Sequence, residues 1–278
     1  MICVECGNTQ IKRLYSEYKS SHITLTVCPI CHNVADKYIE YDRVLLFIDI
    51  LLLKPQAYRH LAFNLTEEQL LANLNGPRTR KYNLVFRLFM VFILFDVYLV
   101  WAHEERKPTH TPAMQTVLSQ AVYVQYLFFI VRLLCETGIQ SFLILLLCQI
   151  GTNWGSNAPY INIPKEFQRG YSSAVLLMVN LVSSSIKLFP ILMLIWPYDA
   201  STQSLFIINI IAFITSFEAI TMTVQAPRWR VLLISCTTTG IRLVVSTLFT
   251  ATVVSYLSEY SITHIVDTQL RAMIPKLF

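Results

Sequence analysis

Charge is what this sequence has least of. Asp, Glu, Lys and Arg make up 14% of its 278 residues, against about 25% in water-soluble domains. Glycine is also scarce, with seven in the whole chain. No P-loop, GxSxG, HExxH or glycine-rich phosphate cradle occurs, so the sequence gives no positive sign of an active site. No internal repeat stands out, which leaves an inverted-repeat transporter unsupported. The aromatic residues sit in apolar runs and not among the basic ones, so no basic stacking surface for nucleic acid is expected. A basic segment followed by an apolar one does not open the chain, so no cleavable signal peptide is expected and the first apolar span must serve as the targeting signal.

What fills the space is apolar. Hydrophobic residues are 54% of the chain and the mean hydropathy is +0.50. The fold class expected is mainly α: a polytopic helical membrane protein with a small N-terminal zinc-ribbon (β-hairpin) head. Residues 83–278 form the transmembrane body, with five spans expected at about 84–101, 122–150, 172–196, 204–224 and 231–257. Each is long enough for a hydrocarbon core of about 30 Å, which roughly 20 helical residues cross. The second is long enough to tilt, or to split near Thr137-Gly138. Lys and Arg crowd the segment before the first span, and Lys165, Arg169, Arg228 and Arg230 lie in loops on that same side. By the positive-inside rule this puts the head in the cytosol and, with five spans, the C-terminus in the lumen.

The head, residues 1–41, carries four of the seven cysteines as Cys3-Val4-Glu5-Cys6 and Cys28-Pro29-Ile30-Cys31. Two thiolates two residues apart grip one face of a tetrahedral ion, and a second pair closes the site, as in structural zinc. Between them, Ile11–Tyr15 and Ile23–Val27 read as two strands with Ser20-Ser21-His22 as the turn, and Gly7 suits a knuckle needing positive φ. Two disulfides would use the same cysteines in an oxidising lumen; the cytosolic orientation argues for reduced thiols and bound Zn2+. A redox dithiol would want a βαβ pattern that is missing, and a catalytic zinc would want an open position. His22 and His32 are read as surface residues or neighbours of the ligands. Cys135, Cys148 and Cys236 lie alone in apolar segments and read as small buried hydrophobes.

Residues 42–82 read as an interfacial connector. Val44–Leu53 is too short to span, Lys54-Pro55 breaks it, and Gln56–Phe63 follows. Two surface helices or a shallow re-entrant hairpin would put Tyr58, Arg59 and His60 at headgroup depth; the alternative is a helical cap on the ribbon. Thr66 with Gln69 fits a capping box, and Asn75-Gly76-Pro77 a stop. The paired CxxC motifs, followed by Asp36-Lys37-Tyr38-Ile39-Glu40-Tyr41-Asp42, Ile48-Asp49, Lys54, Ala57-Tyr58-Arg59-His60 and Phe63-Asn64, resemble the N-terminal homology region of the Arv family over residues 1 to about 64. Lys187-Leu188-Phe189-Pro190 through Ile195-Trp196-Pro197-Tyr198-Asp199 resembles its fungal branch.

That resemblance implies a non-enzymatic protein of the endoplasmic reticulum membrane, with the Golgi membrane a further location. It implies a part in sterol transport and homeostasis, sphingolipid metabolism and GPI-anchor synthesis or intermediate delivery. Its partners would be sterol, sphingolipid or GPI precursor, and lipid or GPI biosynthetic enzymes. Asp36, Tyr38, Asp49, Tyr58, Arg59 and His60 are the residues expected to form a docking surface. Any transport function must lie in the spans, which carry ionisable groups at a cost of at least ~2.5 kcal/mol each at mid-membrane. Arg132 and Glu136 are one turn apart and can neutralise each other. Lys187, Glu218 and Arg242 are the other candidates for an intramembrane polar site that meets a lipid headgroup; pairing of Lys187 or Arg242 with Glu218 or Asp96 across helices, as structure alone, is the other reading. The rival class is a zinc-headed adaptor that recruits enzymes and moves no lipid. An enzyme acting on lipid is the third class, and it lacks the usual constellations.

Overall fold

In the ribbon, Ile11 and Leu14 turn inward beneath the cysteines, so the first β-rich run serves as core and strand pairing begins only at Tyr15. Strands β1 (Tyr15–Glu17) and β2 (Ile23–Leu25) pair antiparallel in the register Tyr15↔Leu25, Ser16↔Thr24, Glu17↔Ile23. An isolated bridge joins Val27 to Val34. These features come from a computed structural model that describes residues 1–17, 23–73, 83–107, 110–155, 162–188, 202–224, 226–257, 263 and 265–267. The expected turn at Ser20-Ser21-His22 and the stop at Asn75-Gly76-Pro77 lie outside the described residues.

A 3-10 turn at Lys37–Ile39, capped by the Asp36 carboxylate on the Tyr38 N–H, leads into helix α1 (Arg43–Leu51). Leu53, at φ 56°, reverses the chain. Helix α2 (Pro55–Arg59) starts with proline at its first position, where a missing N–H costs nothing. It runs through a π-helical turn (His60–Leu65) straight into α3 (Thr66–Ala72). The capping box does not form, because the helix never begins at Thr66. Instead the Thr66 hydroxyl donates to the Leu61 carbonyl and Gln69 Oε1 accepts from the Leu84 N–H at 3.1 Å. The headgroup-depth expectation is also corrected. Tyr58 and His60 are 4% and 6% exposed, because this helix packs under the ribbon. Among the described residues of the connector, α1 alone presents an apolar outer face.

Beyond it come α4 (Asn83–Arg106), a short α5 (Pro112–Leu118) capped by the Thr111 hydroxyl, and α6 (Val122–Thr152). Then follow α7 (Lys165–Ser183), α8 (Thr202–Val224) and α9 (Arg228–Leu257). Among the described residues four helices are long and apolar enough to cross a membrane: α4, α6, α8 over Ile207–Val224, and α9. The second expected span is one unbroken helix; a Cβ at Gly138 would meet nothing within 4 Å, and nothing at that glycine interrupts the helical run.

The third expected span behaves differently from the others. Its helix begins at Lys165, seven residues before the expected start, carries three charged residues in its first turns, and gives way to a 3-10 turn at Ser184–Leu188. The Ser183 and Ser184 hydroxyls both donate to the Asn180 carbonyl, the kind of back-bonding that bends a helix. Residues 189–196 of that expected span lie outside the described residues.

Helix α7 is also the most enclosed. Tyr171, Val175, Leu176, Met178 and Val179 are at most 1% exposed and share one core with Tyr38, Ala57, Tyr58, Leu61, Phe63 and Leu70 of the head and connector. Polar bonds reinforce this joint. Tyr171 Oη donates to the Phe63 carbonyl at 3.1 Å, and Asn162 Nδ2 bonds the Ile11 and Lys12 carbonyls and Glu67 Oε1. At the same end, Arg230 donates to the Gly151 carbonyl. Hence the starts of α4, α7 and α9 and the end of α6 lie on the ribbon's side, which is the grouping of Lys165, Arg169, Arg228 and Arg230 read from the charges. A second core closes the far end of α4, α6 and α9 around Val97, Met114, Phe128, Phe129 and Val254.

Candidate metal centre and intramembrane charge cluster

Each CxxC pair makes the same small loop. In the first, Cys3 N–H donates to the Asn8 carbonyl and Gly7 N–H to the Cys3 carbonyl; in the second, Cys28 N–H donates to Asn33 and His32 N–H to Cys28. The fifth residue of each loop has positive φ, 77° at Gly7 and 56° at His32. His32 is therefore a backbone position in a knuckle, exposed at its side chain. The two loops bring all four sulfurs within 4.8 Å of one another. Cys3 and Cys31 are 3.8 Å apart and Cys6 and Cys28 3.6 Å. Neither contact is a disulfide, which needs about 2.05 Å. Sulfurs about 2.3 Å from a tetrahedral ion sit about 3.8 Å apart, so these two pairs have the spacing of a metal site and the four residues could hold an ion. Burial pushes the Cys3 thiol up to about 12. Burial also acts to raise Cys28, yet the backbone N–H groups of Cys31 and Ile30 that face its sulfur bring it down to about 6. At Cys28 the second knuckle thus favours the thiolate.

The six residues expected as a docking surface turn inward instead. Asp36, fully buried, accepts from Tyr38 N–H at 3.0 Å, faces His60 Nδ1 at 2.6 Å, and accepts from Asn64 Nδ2 at 2.7 Å. Tyr38 Oη donates to Asp49 at 2.8 Å, and Lys54 pairs with the other Asp49 oxygen at 2.7 Å. The Lys54 bond, reinforced by Tyr38, holds the Asp49 carboxyl below the usual carboxylate range. Tyr58 is packed under Ile50, and burial raises its hydroxyl to about 12. Arg59 Nη1 caps the Val4 and Glu5 carbonyls of the first knuckle at 2.9 and 2.8 Å. These bonds seat the knuckle; Arg59 stays half-buried, and Tyr38 and His60 also line an open cleft. Asn64, absent from the expected set, matters as much: its amide exchanges two bonds with the Ile2 backbone, at 2.8 and 3.0 Å, as a neighbouring strand would.

In the body, Arg132 Nε meets Glu136 Oε1 at 2.9 Å, one turn apart as expected. The other Glu136 oxygen faces Arg242 Nε at 3.3 Å across the α6–α9 contact. Arg132 also donates to Ser246 Oγ, at 2.7 Å from Nη2, and Arg242 Nη1 to Gln140 Oε1 at 3.2 Å. Lys187, at the 3-10 turn after α7, lies within electrostatic reach of Asp96, Glu136 and Arg242. Four of the five expected residues are therefore brought together; Glu218, half-buried on α8, has no described bond to this group. Gln140, Ser246 and Asp96 complete it. The signal for the first two was in the sequence, since Arg132, Glu136 and Gln140 form one i, i+4 stripe and Arg242 and Ser246 another.

The Arv1-like family model matches residues 2–220. Protein ARV1 of Candida albicans is 45% identical over 232 residues, covering 79% of this chain and 78% of that protein. Protein ARV1 of Saccharomyces cerevisiae is 30% identical with 84% of each chain covered, and that of Homo sapiens 28% identical with 81% and 73% covered. No solved structure matches the chain.

Proposed function

This chain belongs to the Arv1-like family, and from that premise we propose that it is a non-enzymatic mediator of sterol transport and homeostasis in the endoplasmic reticulum membrane. Linked roles lie in sphingolipid metabolism and in GPI-anchor synthesis or intermediate delivery. The head faces the cytosol and holds one structural Zn2+ on Cys3, Cys6, Cys28 and Cys31. A closed set of four sulfurs leaves no position for substrate, so the ion holds shape and performs no reaction.

What supports the lipid reading is the cluster of Arg132, Glu136 and Arg242, bonded across two apolar helices and flanked by Lys187 and Asp96. Among the described residues, three cations and two anions leave one positive charge without a fixed counter-ion in an apolar setting. Such a group gives a polar headgroup a foothold while sterol or acyl parts stay in lipid. The test is reconstitution into liposomes with labelled sterol and labelled GPI precursor. Movement above protein-free vesicles, lost in Arg242→Gln at matched folding, is the expected result; no movement in the wild type sinks direct transport.

One observation favours a second reading. The ribbon and connector share a core with α7, so the head is a fixed platform, as an adaptor for biosynthetic enzymes requires. If a deletion strain is rescued equally by wild type and by a chain with Arg132, Glu136, Lys187 and Arg242 all made neutral, at matched expression, the adaptor reading replaces transport.

A further inference from the structure

Between the hairpin and the connector lies a cleft of about 750 Å³. Its floor includes Tyr38, His60 and Asn64, three side chains already fixed by Asp36 or Asp49. Two arginines, Arg13 and Arg43, and two glutamates, Glu17 and Glu68, also line it. All four are exposed, and no hydrogen bond or ion pair engages them among the described residues. Two cations and two anions, unengaged among the described residues, surround one cavity. A lining of this kind suits a ligand that itself carries both signs: guanidinium groups match a phosphate bidentately, and carboxylates accept from an ammonium.

Arg43 is also the first residue of α1, and α1 is inside out for a water-facing helix. Its outer face carries Val44, Leu45, Phe47, Ile48 and, just past its end, Leu52, exposed by 61, 50, 51, 43 and 63%. The inner face holds the ionised pair Asp49–Lys54 and its Tyr38 partner. Leu46 and Leu53 pack into the same core as Leu84, Val85 and Leu88 at the start of the first membrane helix. That continuity sets α1 at the edge of the bilayer, where an apolar outer face meets acyl chains.

We propose that this cleft binds the zwitterionic phosphate-and-amine headgroup of a membrane phospholipid, whose acyl chains lie in the bilayer against the outer face of α1. Arg13 and Arg43 hold the phosphate, and Glu17 and Glu68 the amine. The site is distinct from the intramembrane cluster and does not depend on transport.

The test uses the full chain in a maltoside detergent free of phospholipid, titrated calorimetrically with dihexanoyl-phosphatidylethanolamine. Saturable one-site binding is expected, weakened on the order of tenfold or more by Arg13→Gln with Arg43→Gln. Glu17→Gln with Glu68→Gln is expected to shift preference toward dihexanoyl-phosphatidylglycerol. Free phosphoethanolamine binds more weakly than the lipid, and dihexanoylglycerol does not compete. Because all four side chains are exposed, the variants are expected to melt with the wild type. Phe47→Trp in vesicles with brominated acyl chains gains quenching over the wild type, whereas Glu40→Trp does not. Unchanged affinity in the arginine pair, or competition by dihexanoylglycerol, overturns the headgroup site. Phosphoethanolamine binding as tightly as the lipid, or no added quenching at Phe47→Trp, overturns the membrane source.

Discussion

Replacing Asp36 with alanine is expected to loosen the head more than any other single change outside the cysteines. The carboxylate is fully buried and accepts from three donors on three segments: the Tyr38 N–H, His60 Nδ1 and Asn64 Nδ2. Removing it leaves all three without an acceptor, at about 1 to 3 kcal/mol each. Tyr38, His60 and Asn64 all line the large cleft, so the cost of each falls toward the low end. The sum is about 3 to 5 kcal/mol, in the range for breaking a buried charged pair. Hydrogen exchange on the intact, detergent-solubilised chain reads this directly. Protection of the amides of Val4 and Ala35, which donate to the Ala35 and Thr26 carbonyls, is expected to fall by about two to three and a half orders of magnitude, at about 1.4 kcal/mol per decade. Asp36→Asn, which keeps the shape and one acceptor, falls between. Glu40→Gln, on an exposed side chain, serves as the control and leaves protection unchanged. A loss under tenfold in Asp36→Ala, with zinc retained, would refute the view that this carboxylate joins ribbon to connector.

On the proposed zinc site, treatment with a strong chelator, or Cys6→Ser, is expected to unfold the ribbon, because a head this small buries too little to stand without a staple; X-ray absorption on the purified protein should find four sulfurs at about 2.3 Å. His32→Gly relieves a positive φ of 56° and is expected to raise head stability by about 0.5 to 1 kcal/mol, read as slower zinc release to a chelator, whereas a β-branched His32→Val speeds it. Glu136→Leu strands Arg132 and Arg242 beside each other and is expected to cost about 3 to 5 kcal/mol, seen as a lower melting temperature in detergent, with Arg242→Gln milder because Arg132 still pairs. Asp49, with its pKa depressed by Lys54 and Tyr38, contributes stability that is complete above its unfolded value of about 3.9 and is lost as pH falls through the lower folded value; Asp49→Asn should flatten the acid limb of the melting profile in that window and leave its neutral region lower than wild type.

The paired cysteine spacing determined the ribbon, since two-residue loops, each with a residue that accepts positive φ, build the same knuckle wherever they occur. Apolar length determined the helices that can cross a membrane, and the placement of Lys and Arg grouped their ends. The i, i+4 stripe found Arg132 with Glu136, because neighbours on one helix are a property of sequence alone. Nothing local could say that Arg242, more than 100 residues on, takes the second oxygen of that glutamate; helix packing decided it. The same limit explains the connector. Tyr58, Arg59 and His60 have the amphipathic character of headgroup-level residues, and a ribbon packed above them turned them inward to Ile50, the first knuckle and Asp36. With that face buried, α1 was left as the part of the connector whose apolar outer side meets nothing among the described residues. The serine-rich end of α7 gave way to a 3-10 turn, with two hydroxyls on one carbonyl. Composition and spacing fix what each segment can bury, while the partner that buries it is a matter of tertiary contact between segments far apart in the chain.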